Sequence, residues 1–418
     1  MNQINVIDSI MGSGKTNYIH NYFRQNREKH FIYVTPYIEE IERIKQICPY
    51  FKEPNEDNPA GVKQADFITL LRRGESIATT HQLFKNLPVD KEILKRIKEY
   101  GYILVMDEML EVVEKVKASE FDIEEISKYC EIDEKTNRLV WKRDDYKGDH
   151  SELKRKVNSN EVIKYSNSEL LWIFPKKLLA AFDVTYILTF LFNGSKLEQF
   201  LKIYGFSWNM NYVRNGELIR GQQPLTEEKK KYQKLINIYG GSKNAIGDEY
   251  YALSHSWWSK NDRSRQRGKK KDKNQKRTEK TGRDRVMSNA YGYLRNDVKA
   301  VKDEILWTTF KCAFKHGGNK GKEPNIKGRW QEDFCPCNAR ATNKWQTRTK
   351  LVYLINVLPD PTIERWFSDQ GGHLDRRQYA LSMMLQWIWR SAIRKGEPID
   401  IFIPSKRMRE ILTEWLYE

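Results

Sequence analysis

Thirteen residues near the start, Ile4-Asn-Val-Ile-Asp-Ser-Ile-Met-Gly-Ser-Gly-Lys-Thr16, constrain the fold more than any other part of the chain. An apolar run of strand length passes into a turn carrying Gly12 and Gly14, and then into a stretch, Asn17-Tyr-Ile-His-Asn-Tyr-Phe23, able to begin a helix. Strand, glycine-bearing loop and helix in that order predict a phosphate loop in an α/β fold. Small residues at Gly12, Ser13 and Gly14 let successive backbone N–H groups point at the β- and γ-phosphates of a nucleoside triphosphate. Lys15 adds a point charge, and Thr16 a hydroxyl for Mg²⁺. The positive end of the following helix faces the same anion. Ser9 stands where the usual pattern Gly-x-x-x-x-Gly-Lys-Ser/Thr has its first glycine.

Strand-like and helix-like runs alternate through the first half. His30-Phe-Ile-Tyr-Val-Thr-Pro36, Ser76-Ile-Ala-Thr-Thr-His81 and Tyr102-Ile-Leu-Val-Met-Asp-Glu108 read as strands, with charged amphipathic helices between them. The alternation predicts a parallel sheet whose ligands gather at the carboxyl ends of its strands. Asp107-Glu108 ends the third of these runs, about ninety residues after the phosphate loop. Two carboxylates at such a strand end suit a Walker B-type site: Asp107 holds Mg²⁺, and Glu108 orients or deprotonates the attacking water. Residues 116–164 are more polar, contain the hairpin-like Asn137-Arg-Leu-Val-Trp-Lys-Arg143, and read as an insertion.

At 418 residues the chain predicts two domains, placed at 1–195 and 196–418. Its net charge of +17 and pI near 9.4 point to an acidic partner, most commonly nucleic acid. The five cysteines form no disulfide framework, which suits a reducing cytoplasm. The start, Met1-Asn-Gln running into the first strand, predicts no export signal, and no apolar run is long enough to span a bilayer.

In the second half, Gln386, Arg390 and Arg394 recur every fourth residue, so they are expected to line one face of a helix that runs from Tyr379 to Arg394. That face suits either a polar stripe on a core helix or a finger element stabilising charge on a γ-phosphate. Between Lys260 and Arg285 thirteen Lys/Arg stand against four Asp/Glu, with almost nothing apolar. We expect a mobile basic loop there, which suits either solubility alone or, through Lys269, Lys270 and Lys271, contact with a phosphate backbone. Trp257 and Trp258 just before it suit core packing or base stacking. The spacing of Cys312, His316, Cys335 and Cys337 matches no standard zinc site.

Taken in order, these elements resemble a superfamily 2 helicase-like ATPase of the DEAD/DEAH type carried by tailed bacteriophages. Gly12–Thr16 resembles motif I and Asp107-Glu-Met-Leu110 motif II. Thr35-Pro36 resembles motif Ia, and Thr79-Thr80-His81 the next strand-contacting motif. Gln386-Trp-Ile-Trp-Arg-Ser-Ala-Ile-Arg394 resembles motif VI, and Cys337–Asn343, with Arg340 and Thr342, resembles motif V. The resemblance implies two RecA-like domains with parallel sheets, ATP and Mg²⁺ as cofactors, and a helicase or translocase acting on nucleic acid, DNA ahead of RNA. It also implies phage replication or recombination, replication proteins as neighbours, and the cytoplasm of a bacterial host. A terminase-like packaging ATPase and an ATP-gated DNA clamp share the same early motifs. Where the family has Ser/Thr-Ala-Thr, the chain offers only Thr189. The upstream glutamine motif that reads adenine has no counterpart.

Overall fold

The structure, a computed structural model, describes residues 2–116, 126, 128–143, 151–158, 162–166, 169–260, 281–314, 326, 329–337 and 343–418. The chain divides into two α/β units, Met1–Gln223 with Pro359–Asp375, and Pro224–Leu358 with Arg376–Glu418. Each is built on a largely parallel sheet, the α/β class with parallel sheets expected from the sequence.

The first unit begins with β1 (Gln3–Asp8), β2 (Phe31–Thr35), β3 (Ile77–Thr80) and β4 (Ile103–Asp107). Each of the first three runs into a helix, Lys15–Gln25, Ile38–Ile47 and His81–Lys85, which is the connection parallel neighbours require. After β4 the chain leaves the main sheet as an insertion. β5 (Val113–Val116), β8 (Val162–Ser166) and β9 (Glu169–Ile173) make a three-stranded antiparallel sheet. β6 (Cys130–Ile132) and β7 (Leu139–Trp141) make the hairpin that the sequence suggested, turning through Asn137 at φ 54°. The insertion is therefore wider than 116–164, because its outer strands begin at Val113 and end at Ile173. β10 (Val184–Thr189), β11 (Trp208–Arg214) and β12 (Glu217–Arg220) then complete a main sheet of order β12-β11-β1-β10-β4-β2-β3, parallel except for β12. Because β11 pairs with β1, this unit continues past the boundary expected at 195. Both sheet faces are covered, by clusters around Ile32, Leu104 and Ile187 on one side and Phe23, Tyr33 and Val105 on the other.

A segment from the second half of the chain completes the first unit. The helix Pro361–Asp369 starts on an Asp360 cap and buries Ile363, Trp366 and Phe367 in the first unit's core. Full burial of such side chains contributes roughly 1.5–3 kcal/mol each. Its polar side meets the insertion sheet: Thr362 donates to Glu169, Lys115 Nζ pairs with Glu169 at 2.6 Å, and Tyr165 donates to Asp369 Oδ2 at 2.5 Å.

The second unit carries β13 (Ile236–Ile238), β14 (Ile305–Thr308), β15 (Lys350–Tyr353) and β16 (Ile399–Phe402) in the order β13-β16-β15-β14, all parallel. Trp258 is core: it is fully buried and its indole N–H donates to Leu354 O at 3.1 Å, so it is not a platform for bases. The basic segment starts on the helix His255–Lys260. Its far end is helical rather than loop, because Thr281 and Asp284 form a capping box that opens Gly282–Gly292. Lys269, Lys270 and Lys271 lie outside the described residues, as do Arg340, Thr342 and His316. Arg407 grips the chain on both sides of the excursion to the first unit. It donates to Asn356 Oδ1 at 3.0 Å and Val357 O at 2.8 Å before it, and to Arg376 O at 2.7 Å after it.

Candidate nucleotide site

The phosphate loop sits between the end of β1 and the helix Lys15–Gln25. Gly12 at φ 83° and Gly14 at φ 92° adopt the left-handed region, and a Cβ at either would meet nothing within 4 Å. Conformation, not space, demands glycine there. Ser9 has no such demand and is used differently. Its backbone N–H donates to Thr189 O at 3.0 Å, and its buried hydroxyl accepts from Val213 N–H at 2.9 Å, tying the start of the loop to β10 and β11. That explains the serine in the glycine position. Gln223 adds a further tie, its side-chain oxygen accepting from Ile10 N–H at 2.8 Å.

Lys15 Nζ lies across the loop, donating to Ser9 O and, at 3.3 Å, to Ile10 O. Burial lowers its pKa from the ordinary lysine value, while the charges of Glu108, Asp8 and Asp107 pull it back up. That balance places the ammonium within the field of all three carboxylates. β10 lies between β1 and β4 and sets the spacing. In register Asp8 stands beside Thr189, and Leu188 beside Asp107, so the phosphate loop and the carboxylate pair emerge from one sheet edge on either side of one strand. With strands ~4.8 Å apart, the two elements are separated by ~10 Å. Thr189 ends that middle strand, fully buried.

Asp107 is buried, and burial together with the neighbouring Glu108 pushes its carboxyl up to about 7, opposed by Tyr33 and Lys15. Its Oδ2 accepts from the Tyr33 hydroxyl at 2.8 Å, and its carbonyl accepts from His81 Nε2 at 3.1 Å. Glu108 lies at φ 69°, a strained position for a residue with a side chain, while its N–H donates to Leu188 O at 2.9 Å. The strand thus ends in a kink at the residue that the sequence assigned to the attacking water. Asp8 bonds to the loop after β10, its carboxylate accepting from Leu191 N–H at 2.9 Å and Phe192 N–H at 3.1 Å.

The residue set fits a Mg²⁺–triphosphate. Ser13 Oγ is buried in the loop with no hydrogen-bond partner, an orphan donor where a phosphate oxygen would accept. Thr16 and Asp107 offer the hydroxyl and carboxylate oxygens that a hard cation with several retained waters takes.

Other sequence assignments fare differently. Thr35, Thr79 and His81 are buried and turned inward, His81 onto the Asp107 carbonyl, while Pro36 and Thr80 are partly exposed. In the second unit the helical face expected for Gln386, Arg390 and Arg394 does not form. The helix Arg376–Ile388 carries only Gln386, Arg390 falls in the following turn, and Arg394 lies on a short 3-10 helix, Ala392–Lys395. Ser391 ends the longer helix. Its hydroxyl donates to Ile388 O at 2.6 Å, and the next N–H, of Ala392, is taken by Arg348 O at 2.9 Å instead of continuing the helical ladder. Arg390 is half-buried, with Nε lacking a hydrogen-bond partner, whereas Arg394 is exposed. No group of three or more His, Cys, Asp or Glu among the described residues is placed to hold a metal, and Cys335 is a buried thiol pushed up to about 12 by that burial.

Tyr33, Asp8, His20 and Gln223 are the residues that sequence reasoning missed. Tyr33 and Asp8 left traces, a phenol inside an apolar strand and a carboxylate as the last residue before the loop. His20 and Gln223 left none.

Residues 230–416 match the family described as the YonV C-terminal Rossmann-like domain. Over 435 aligned residues the chain is 33% identical to the SPbeta prophage-derived protein YonV of Bacillus subtilis (strain 168), covering 100% of this chain and 99% of that one. Among solved structures, an apo XPD aligns over 98% of this chain and 95% of its own at 12% identity, TM-score 0.49. Xpd4 of S. tokodaii aligns over 99% and 94%, again at 12% identity, TM-score 0.45.

Proposed function

This chain belongs to the YonV family, and we propose that it is a Mg²⁺-dependent nucleoside triphosphatase, with ATP as substrate, that translocates on or unwinds nucleic acid. One observation carries the reading: β10 holds the phosphate loop and the Asp107-Glu108 pair at a single sheet edge, with Lys15 in the field of both carboxylates. The N–H groups of Gly12 to Thr16, the Ser13 hydroxyl and Lys15 bind the phosphates, and Thr16 and Asp107 hold Mg²⁺. The cation neutralises charge between β- and γ-phosphates when bound. Glu108 positions the attacking water and takes its proton.

A net charge of +17 supports a polyanionic partner, and the prophage origin of the relative supports phage DNA and the cytoplasm of a bacterial host. No described helix is long and apolar enough to cross a membrane. In this reading Pro36 and Thr80 meet the strand, Thr35, Thr79 and His81 support them from within, and Lys269, Lys270, Lys271, Arg340 and Thr342 bind phosphates. Gln386, Arg390 and Arg394 are the remaining candidates for assisting turnover.

The test is ATP hydrolysis by the full chain alone, with single-stranded DNA and with duplex DNA, followed by strand displacement. Stimulation by DNA together with displacement supports a helicase, and stimulation without displacement supports a translocase. Absence of ATP hydrolysis in all three conditions overturns the proposal.

A further inference from the structure

The Tyr33 side chain is out of character with its surroundings. It lies in the middle of β2, fully buried, between Ile32 and Val34 and among apolar neighbours. A phenylalanine would fill the same space without carrying a hydroxyl out of water, so the hydroxyl needs a polar reason to be there. The reason is Asp107. β2 pairs directly with β4, with Tyr33 beside Val105, and from there the phenol reaches two residues forward to donate to Asp107 Oδ2 at 2.8 Å. The ring is fixed from behind by Phe23, edge-on at 5.8 Å, and by His20 at 6.4 Å. Thr35, next on the same strand face, places its hydroxyl beside the phenol and accepts from Tyr37 N–H at 3.3 Å.

A carboxylate has two oxygens, and one that is held by a rigid donor has lost most of its freedom to rotate. We infer that Tyr33 is a positioning residue for the divalent cation: by holding Asp107 Oδ2 it fixes the carboxylate and leaves Oδ1 as the oxygen that serves the metal. The inference rests on the nucleotide-site reading above and adds a residue that no motif contains. Outer-sphere donors of this kind set ligand orientation in metal sites, and losing one typically weakens metal affinity by ~10- to 100-fold.

The experiment compares the full-length wild type with Tyr33→Phe, Asp107→Asn and the double variant. Binding of a fluorescent, non-hydrolysable ATP analogue is measured first in EDTA and then across a Mg²⁺ titration. Mn²⁺ bound in the presence of the same analogue is counted by electron paramagnetic resonance. Tyr33→Phe is expected to bind the analogue without metal within about twofold of wild type, yet to need about tenfold more Mg²⁺ or Mn²⁺ for half-saturation. In the Asp107→Asn background the same substitution is expected to change the metal requirement no further, because Tyr33 acts through that carboxylate. Superimposable metal titrations for wild type and Tyr33→Phe overturn the inference, and so does an equal loss in both backgrounds, which a merely structural role would give. If wild type gains nothing from metal and Lys15→Ala loses no analogue binding, the nucleotide-site reading falls and the inference with it. If Lys15→Ala does lose binding while Tyr33→Phe leaves the metal requirement unchanged, only the inference falls.

Discussion

The nucleotide edge of the first unit and the Gln386–Arg394 stretch of the second were equally tidy as sequence, and they came out differently as structure. At the nucleotide edge, Asp8, Thr189 and Asp107 are placed by strand ends, and strand ends are fixed by register with buried neighbours on both sides. Slipping by one residue would exchange the side chains packed into the two apolar clusters that cover the sheet, so the positions of Asp8, Thr189 and Asp107 are overdetermined. The second stretch depended on a helix continuing for two more turns, and nothing in a four-residue spacing guarantees that. Ser391 offered Ile388 O a hydroxyl, Arg348 O took the Ala392 N–H, and the face broke into a helix, a turn and a 3-10 segment. Periodicity says where residues would point if the element persists; register says where they are.

The largest expected effects would sharpen this comparison at the nucleotide edge. Lys15→Ala should abolish ATP binding in a filter or fluorescence assay, while Glu108→Gln keeps binding and loses ~10² to 10⁴ in turnover, the range for removing a general base. Wild-type hydrolysis by Glu108→Gln would sink the role given to that carboxylate.

The next test is aimed at the second stretch. If the broken helix separates the two arginines in role, exposed Arg394 and half-buried Arg390 should no longer behave alike. Arg394→Ala is expected to reduce DNA-stimulated hydrolysis by up to ~10³ with an unchanged melting temperature. Arg390→Ala is expected to lower the melting temperature. Identical behaviour of the two variants in paired kinetics and thermal melts would restore the single face that the sequence predicted.

A pH experiment probes the packing between the phosphate-loop helix and Tyr33. His20 is 2% exposed beside Tyr33, and burial, aided by Arg43 and Arg24, lowers its pKa from 6.5 to about 4. The unfolded chain binds its proton first as pH falls, so stability should be intact above pH 6.5 and decline towards pH 4. A shift of this size corresponds to about 3 kcal/mol in all. His20→Phe should flatten that window in denaturant midpoints measured from pH 7 to 4, and an unchanged pH dependence would show that His20 is not the group responsible.

Two smaller effects complete the set. Replacing Lys269, Lys270 and Lys271 with Gln should reduce the slope of log affinity for duplex DNA against log salt, by ~0.9 for each phosphate that is no longer neutralised. A slope identical to wild type would leave that run a solvated surface. Ser9→Gly restores the first glycine of the usual phosphate-loop pattern, yet it should cost about 1–2 kcal/mol, because Val213 N–H loses its acceptor. Improved stability in urea melts would contradict the tie between the loop and β11.

How much was legible follows from the same physics. The phosphate loop and Asp107-Glu108 are contiguous in sequence, so their chemistry can be read without knowing the sheet. The Tyr33–Asp107 bond joins residues 74 apart and needs the β2–β4 register before it exists. Thr35, Thr79 and His81 were recognisable as motif-like, but which way a strand-end side chain turns depends on what its neighbours leave open. The first unit runs past the boundary expected at 195, because chain length suggests how many domains there are and not where the chain crosses between them, and here it comes back at Pro359.

That return has an evolutionary consequence. The chain passes between its units three times, after Gln223, Leu358 and Asp375, so the point where the first sheet ends is not a seam at which halves can be exchanged. A recombinant that took everything after residue 223 from a relative would bring a foreign helix onto the resident insertion sheet. Lys115, Glu169 and Tyr165 from one parent would then face Thr362 and Asp369 positions from another. Those five residues form one contact set, so a change at one is felt by the others although up to 254 positions separate them (369 − 115).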